Sequence, residues 1–248
     1  ADRLSINIEL PTQNGLTKLA PEKDRSGIKK TMARVKSRLD EAKDEKPRFR
    51  NAPKFAPAGQ STQMIVGADD ARDRDVLGTS SNLYGSYGLK RVYYSAFSPI
   101  PDASSRLPLV RPPLMREHRL YQADWLLRFY GFEVDEITSA APSGNLDLAI
   151  DPKLAWALAN RQMFPVDVNR AQRSLLLRVP GLGTTAVKRI LSARRYTALR
   201  LEDLARMSNG VKKAMPFICT RDWQPGGLPD SENLRAKFAP APEQLQLL

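Results

Sequence analysis

Leu4, Ile6, Ile8 and Leu10 alternate with polar residues at the period of two expected of a strand. Ile28, Met32, Val35 and Leu39 then fall on one helical face, and residues 40–58, charged and carrying three prolines, read as a loop. A second strand is expected over Thr62–Gly67, followed by a helix through Val76, Leu77, Leu83 and Tyr84 that stops near Gly85 and Gly88, and a third strand over Leu89–Phe97. The order β-α-β-α-β implies parallel strands with right-handed crossovers. Three strands are few for a parallel sheet, whose faces both need helical cover. The chain also opens on Ala1 directly before a strand, so we expect these strands to be part of a larger sheet that starts upstream.

Further along, residues 98–115 are rich in proline and read as an irregular connection. A helix is expected over Arg116–Tyr130, with Gly131 at its C-cap. Asp151-Pro152 opens another over Lys153–Arg161, with Asp as N-cap and Pro at the first helical position. From Asp222 onward the pattern is weak, and much of the tail is expected to be extended or mobile.

The most informative stretch begins at Asn169, placed as an N-cap with Gln172 completing a capping-box spacing. Leu175, Leu176 and Val179 supply an apolar face, and Pro180 forces the helix to stop, because it disfavours the helical conformation in the residue before it. Pro180-Gly181-Leu182-Gly183 is then a tight turn with two glycines available for positive φ and a leucine to plug the core. A second helix from Thr184 carries Ala186, Val187, Ile190 and Leu191 on one arc and leaves Lys188 and Arg189 on the other. Such a turn presents backbone N–H groups at a helix N-terminus, where orphan donors and the helix dipole both favour an anion. A weaker copy follows: Leu201, Leu204 and Met207, a turn at Asn209-Gly210, then Val211, Ala214, Met215 and Ile218 at helical spacing.

Charge supports an anionic partner. The chain carries a net +12, and residues 167–215, about a fifth of it, hold +8 of that excess. A single Cys (Cys219) and a single His (His118) exclude a disulfide framework, a zinc site and a cysteine-ligated cluster within this chain. Any His-dependent nucleophilic mechanism would have to pass through His118, which sits within the expected helix Arg116–Tyr130 and reads as an exposed or capping histidine. No apolar run approaches the roughly 20 residues of a membrane helix, no signal peptide is visible, and the chain reads as cytoplasmic.

The string Val179-Pro180-Gly181-Leu182-Gly183 with Ala186 and Ile190 resembles the helix-hairpin-helix motif of DNA repair and recombination proteins and of competence-type DNA receptors. On that resemblance Pro180, Gly181, Leu182, Gly183, Thr184, Thr185, Lys188 and Arg189 are the expected DNA-binding residues, and double-stranded DNA the expected partner. Across most of the chain, the ordered set Ile6 to Thr12, Ala58 to Gly67, Arg91 to Ser95 and Arg119 to Trp125, followed by the hairpin, resembles a family of DNA modification or repair radical SAM proteins. That family has a partial β/α barrel and a C-terminal helix-hairpin-helix region. The resemblance implies an S-adenosylmethionine site at Asn7, Glu9 and Gly67, a [4Fe-4S] cluster in full-length relatives, and a uracil-DNA-glycosylase-like protein as partner. The family's Cys-x3-Cys-x2-Cys loop has no counterpart here, so this chain as it stands is expected not to catalyse the radical reaction. The expected architecture is of α/β class: an incomplete parallel β/α barrel of about three strands over 1–115, a helical linker over 116–166, an all-α helix-hairpin-helix domain over 167–218 and an extended tail over 219–248. Two other readings compete: a hydrolase or transferase using Glu9, Asp69 or Asp70, and a protein-interaction scaffold.

Overall fold

The computed structural model describes residues 2–45, 55–101, 104–141, 143–227 and 232–239. The chain forms two compact units, Ala1–Asp124 and Trp125–Leu248. The segment 116–166 does not stand apart as a linker, since its first residues belong to the first unit and the rest to the second.

The first unit is α/β. In chain order it comprises β1 (Leu4–Ser5), α1 (Gln13–Leu19), α2 (Arg25–Glu45), β2 (Gln60–Val66), α3 (Asp73–Tyr87), β3 (Arg91–Ala96) and α4 (Leu114–Trp125), near whose end the boundary falls. The three strands pair in parallel in the order β1-β2-β3, with Ser61 opposite Arg91 and Val66 opposite Ala96. Central β2 is buried along most of its length, as a parallel strand covered on both faces must be. Its polar Gln60 is accommodated because the side-chain amide donates to the carbonyls of Met32 and Tyr87.

Two expectations need correction here. The first strand is interrupted: the Ile6 N–H bonds to Ser61 and the Glu9 N–H to Gln63, so β1 spends one residue more than β2 over the same rungs. Glu9 absorbs the bulge at φ +64 and rejoins the sheet as an isolated bridge to Met64. Residues 40–45, expected in a loop, instead continue α2, while 46–54 of that loop lie outside the described residues. Helix α1, capped by the Thr12 hydroxyl on the Gly15 N–H, was not anticipated because only seven residues carry its period.

The second unit is helical. After a π-helical turn at Leu126–Tyr130, ended by Gly131 at φ +70, come α5 (Val134–Thr138), α6 (Pro152–Ala159), β4 (Val166–Asp167), α7 (Arg173–Arg178), α8 (Thr184–Ala193), α9 (Leu201–Met207), α10 (Val211–Ala214) and β5 (Ile218–Cys219). Asp151 caps α6 through the Leu154 N–H, with Pro152 in the first turn as expected. Strands β4 and β5 pair in parallel, Val166 with Ile218 and Asp167 with Cys219, and so close residues 166–219 into a loop of structure. Ile218 therefore belongs to this ladder and does not extend the last helix. Asn169 is not an N-cap either. Its amide holds Leu199, accepting from that residue's N–H at 2.7 Å and donating to its carbonyl at 3.2 Å, while Asp167 organises the turn before α7.

A chain of edge-to-face rings, Phe132, Trp156, Phe164 and Phe217, runs through the core of this unit, and Phe238 stacks on its end. The described part of the tail is thus not simply extended. Leu234 is buried and the Trp223 indole N–H donates to the Met215 carbonyl. Residues 228–231 and 240–248 of the expected tail lie outside the described residues.

Candidate nucleic-acid interface

Helices α7 and α8 are joined by the four-residue turn at Pro180–Gly183. Val179 leaves the helix at ψ 121, as the following proline requires. Gly181 takes φ +84, and Leu182 is buried beneath the turn. Gly183 sits at φ −86 and ψ 169, extended backbone open to any residue, so the two glycines are not equivalent. What Gly181 supplies besides its φ is close approach: a Cβ there would lie 2.2 Å from the Gly210 carbonyl oxygen and 3.1 Å from the Ala214 nitrogen. The turn at Asn209-Gly210 between α9 and α10 therefore crosses the first turn backbone to backbone. Ser208 ties the two together, its hydroxyl donating to the Gly181 carbonyl at 2.9 Å and accepting from the Gly210 N–H. The second hairpin buttresses the first.

From below, the turn is held by Lys153 on α6. Its ammonium donates to the Leu182 carbonyl at 2.6 Å and lies 4.7 Å from the centre of the Tyr130 ring. Burial pushes the Lys153 pKa down to about 7, with nearby Asp151 acting against the shift.

On the outer side, Arg173, Thr184, Thr185, Lys188, Leu191, Ser192 and Arg195 line a concave surface of about 500 Å³. Thr184, Thr185, Lys188, Leu191 and Ser192 share the α8 face opposite buried Ala186, Val187 and Ile190, and Arg195 follows in the turn just past the helix end. Three cations and three hydroxyls converge there, and among the described residues no acidic side chain lines the surface. Helix α8 has no acidic residue in its first turn. Its N–H groups at Thr185 and Ala186 donate to no other described residue. The positive end of the α8 dipole is therefore uncompensated by its own sequence and faces a cationic groove.

Of the residues expected to bind DNA, Thr184, Thr185 and Lys188 come together in this groove. Pro180 and Leu182 are buried and shape the turn without reaching the surface, and Arg189 points away, toward the Met207 carbonyl. Arg173, Ser192 and Arg195 were not singled out. Ser192 and Arg195 stand four and seven residues beyond Lys188, a spacing legible in the sequence, whereas Arg173 joins them only through the way α7 lies against α8.

The basic residues of 167–215 also sort by role. Arg178 forms a bidentate pair with Glu136 and stacks on Phe132, and Arg194 donates to the carbonyls of Val168 and Ala171. Lys213 pairs with Asp151 and Arg206 with Glu202. The local charge excess thus overstates what is offered to a ligand.

In the first unit, the positions implied for S-adenosylmethionine do not fit that group. Asn7 is exposed and accepts from the Ser5 hydroxyl, Glu9 is ion-paired with Lys23 at 2.6 Å, and Gly67 is covered by Pro112, whose ring would lie 2.7 Å from a Cβ at that position. Asp69 and Asp70 do not form a working pair with Glu9 either: Asp69 turns one oxygen to the Ala71 N–H and the other over Gly15, and Asp70 is exposed. Burial raises the Asp69 pKa. His118 is exposed on α4. Among the described residues, no group of three or more His, Cys, Asp or Glu side chains is placed to hold a metal ion and no helix is long and apolar enough to cross a membrane.

Comparison of the chain with family models, with curated proteins and with solved structures finds no match. The reading of this site rests on its own geometry and chemistry.

Proposed function

We propose that residues 166–219 form a tandem helix-hairpin-helix module that grips the sugar-phosphate backbone of double-stranded DNA without reading its sequence. The observation that carries this reading is the α8 groove, where Arg173, Lys188 and Arg195 stand beside the Thr184, Thr185 and Ser192 hydroxyls at a helix N-terminus lacking its own acid. Point charges, hydroxyls and backbone donors suit phosphate oxygens, and contacts of that kind position a protein on DNA without specifying a base. On the same reading the three-stranded unit is the scaffold of an incomplete β/α barrel. Because Asn7, Glu9 and Gly67 do not fit S-adenosylmethionine, no radical step is assigned to this chain.

The test is a fluorescence-anisotropy titration of the full chain with duplexes of unrelated sequence. Dissociation constants should fall on the order of 10⁻⁴ to 10⁻⁶ M at physiological salt and be alike for all sequences. If three groove cations each neutralise a phosphate, the slope of log affinity against log salt is about −2.7, a loss of roughly 40-fold between about 50 and 200 mM. Lys188→Glu combined with Arg195→Glu should abolish binding while leaving the circular dichroism spectrum unchanged. Binding that ignores salt, or survives in that variant, would overturn the reading and favour a protein-docking scaffold.

A further inference from the structure

One exposed feature of the second unit lies outside the groove. Trp125 and Phe129, at the π-helical turn, are 49% and 44% exposed, with ring centroids 4.4 Å apart and planes tilted by 51°. The Arg128 guanidinium lies over both, 5.6 Å from the Trp125 ring and 4.7 Å from the Phe129 ring. Neither ring is needed to fill the core here, since Leu126 of the same turn is the residue that buries.

The turn also fixes where this pair stands. In a π turn the i+5 residue comes round over residue i, which brings Tyr130 to the side of Trp125. Burial raises the Tyr130 phenol pKa, and hydrogen bonding from the Thr184 backbone and the Trp125 side chain acts the opposite way. The Tyr130 hydroxyl lies 3.6 Å from the place a Gly183 Cβ would occupy. Tyr130 thus links the aromatic pair to the first residues of α8, at the mouth of the cationic groove.

We propose that Trp125 and Phe129, flanked by Arg128, are a stacking platform for an unpaired base whose neighbouring phosphates lie in the α8 groove. This rests on the backbone-binding reading and narrows its substrate to DNA carrying unpaired nucleotides. The chemistry favours a base as occupant. Aromatic faces accept any base without hydrogen-bond readout, a guanidinium adds its own planar face, and a cationic track beside them is the combination that single-stranded nucleic acid requires. A perfect duplex offers the groove its phosphates and leaves the platform empty.

The experiment compares two labelled probes with the full chain: a perfect duplex and the same duplex carrying a short unpaired bulge. The parent should bind the bulged probe about tenfold more tightly, the order expected of one stacked base, with quenching of tryptophan emission. Trp156 is buried, leaving Trp125 the best placed of the three tryptophans to respond. Trp125→Ala should erase the preference while keeping perfect-duplex affinity within about twofold, Phe129→Ala should do the same in part, and Trp125→Phe should restore most of it. A parent that binds both probes equally would overturn the proposal and assign the pair to a protein contact. A Trp125→Ala variant that weakens both probes alike would overturn it too, marking a structural role. Lys188→Glu separates the two levels: losing both probes is expected if the groove holds phosphate, and retaining both would defeat the groove reading itself, whatever the platform does.

Discussion

Replacing Gly181 by alanine should damage this protein far more than the same change at Gly183, although the two glycines bracket one leucine in a symmetrical-looking turn. At Gly181 two costs add. An L-residue at φ +84 costs about 1–2 kcal/mol. The new Cβ would also lie 2.2 Å from the Gly210 oxygen and 3.1 Å from the Gly210 carbon and the Ala214 nitrogen, all backbone atoms that cannot swing aside. Overpacking of that kind costs about 1–3 kcal/mol. The loss of unfolded-state entropy returns about 0.4–1 kcal/mol, so the net destabilisation is about 3 kcal/mol. For a unit of this size that lowers the melting midpoint by roughly 10 °C. At Gly183 the backbone is extended and the nearest atom, the Tyr130 hydroxyl, is in ordinary contact at 3.6 Å. Alanine is a poorer N-cap than glycine but also restricts the unfolded chain, and the balance is about 0.5 kcal/mol. Thermal and urea unfolding followed by far-ultraviolet circular dichroism measures both. Equal losses in the two variants, or a Gly181→Ala midpoint within about 2 °C of the parent, would refute the account of the crossed turns.

Two further outcomes follow from the second unit. Lys153 is held at a pKa of about 7 by burial, against about 10.4 in an unfolded chain. Between these values the unfolded state binds the extra proton, so stability should climb as pH rises from about 7 to 9; below 7 both states are protonated and the slope vanishes. Lys153→Met should flatten that slope in pH-dependent melting, and an unchanged slope would show that Lys153 is not the group responsible. Arg178→Lys keeps the charge but loses the fork to Glu136 and the stack on Phe132. It should cost about 2 kcal/mol of stability and leave duplex affinity unchanged at a temperature where the variant is folded; a parallel loss of DNA binding would place Arg178 in the interface.

Much of the architecture was readable along the chain. Strands β2 and β3, helix α3 with its Gly88 stop, the Asp151-Pro152 start of α6 and the Pro180 stop of α7 all depend on residues a few positions apart, where periodicity and capping act. The candidate groove was half legible: Thr184, Thr185 and Lys188 lie on the polar stripe of α8, and that stripe follows from the apolar spacing of Ala186, Val187 and Ile190. Asn169 misled because a capping-box spacing cannot show that the same amide will instead pair with Leu199, thirty positions on.

By itself, then, the sequence determined where helices begin and end, which faces are apolar, and that a tight glycine turn joins α7 to α8. These are properties of hydrogen bonds and side chains within about one helical turn. Only the tertiary structure decided which of the two glycines is indispensable, because that depends on the Gly210 carbonyl crossing over Gly181. It likewise decided which cations face outward. Arg178 and Arg194 are turned inward to satisfy Glu136 and the carbonyls of Val168 and Ala171, while Arg173 and Arg195 are brought to one surface by the packing of α7 on α8. A charge count weights every arginine equally. Burial and partner geometry do not.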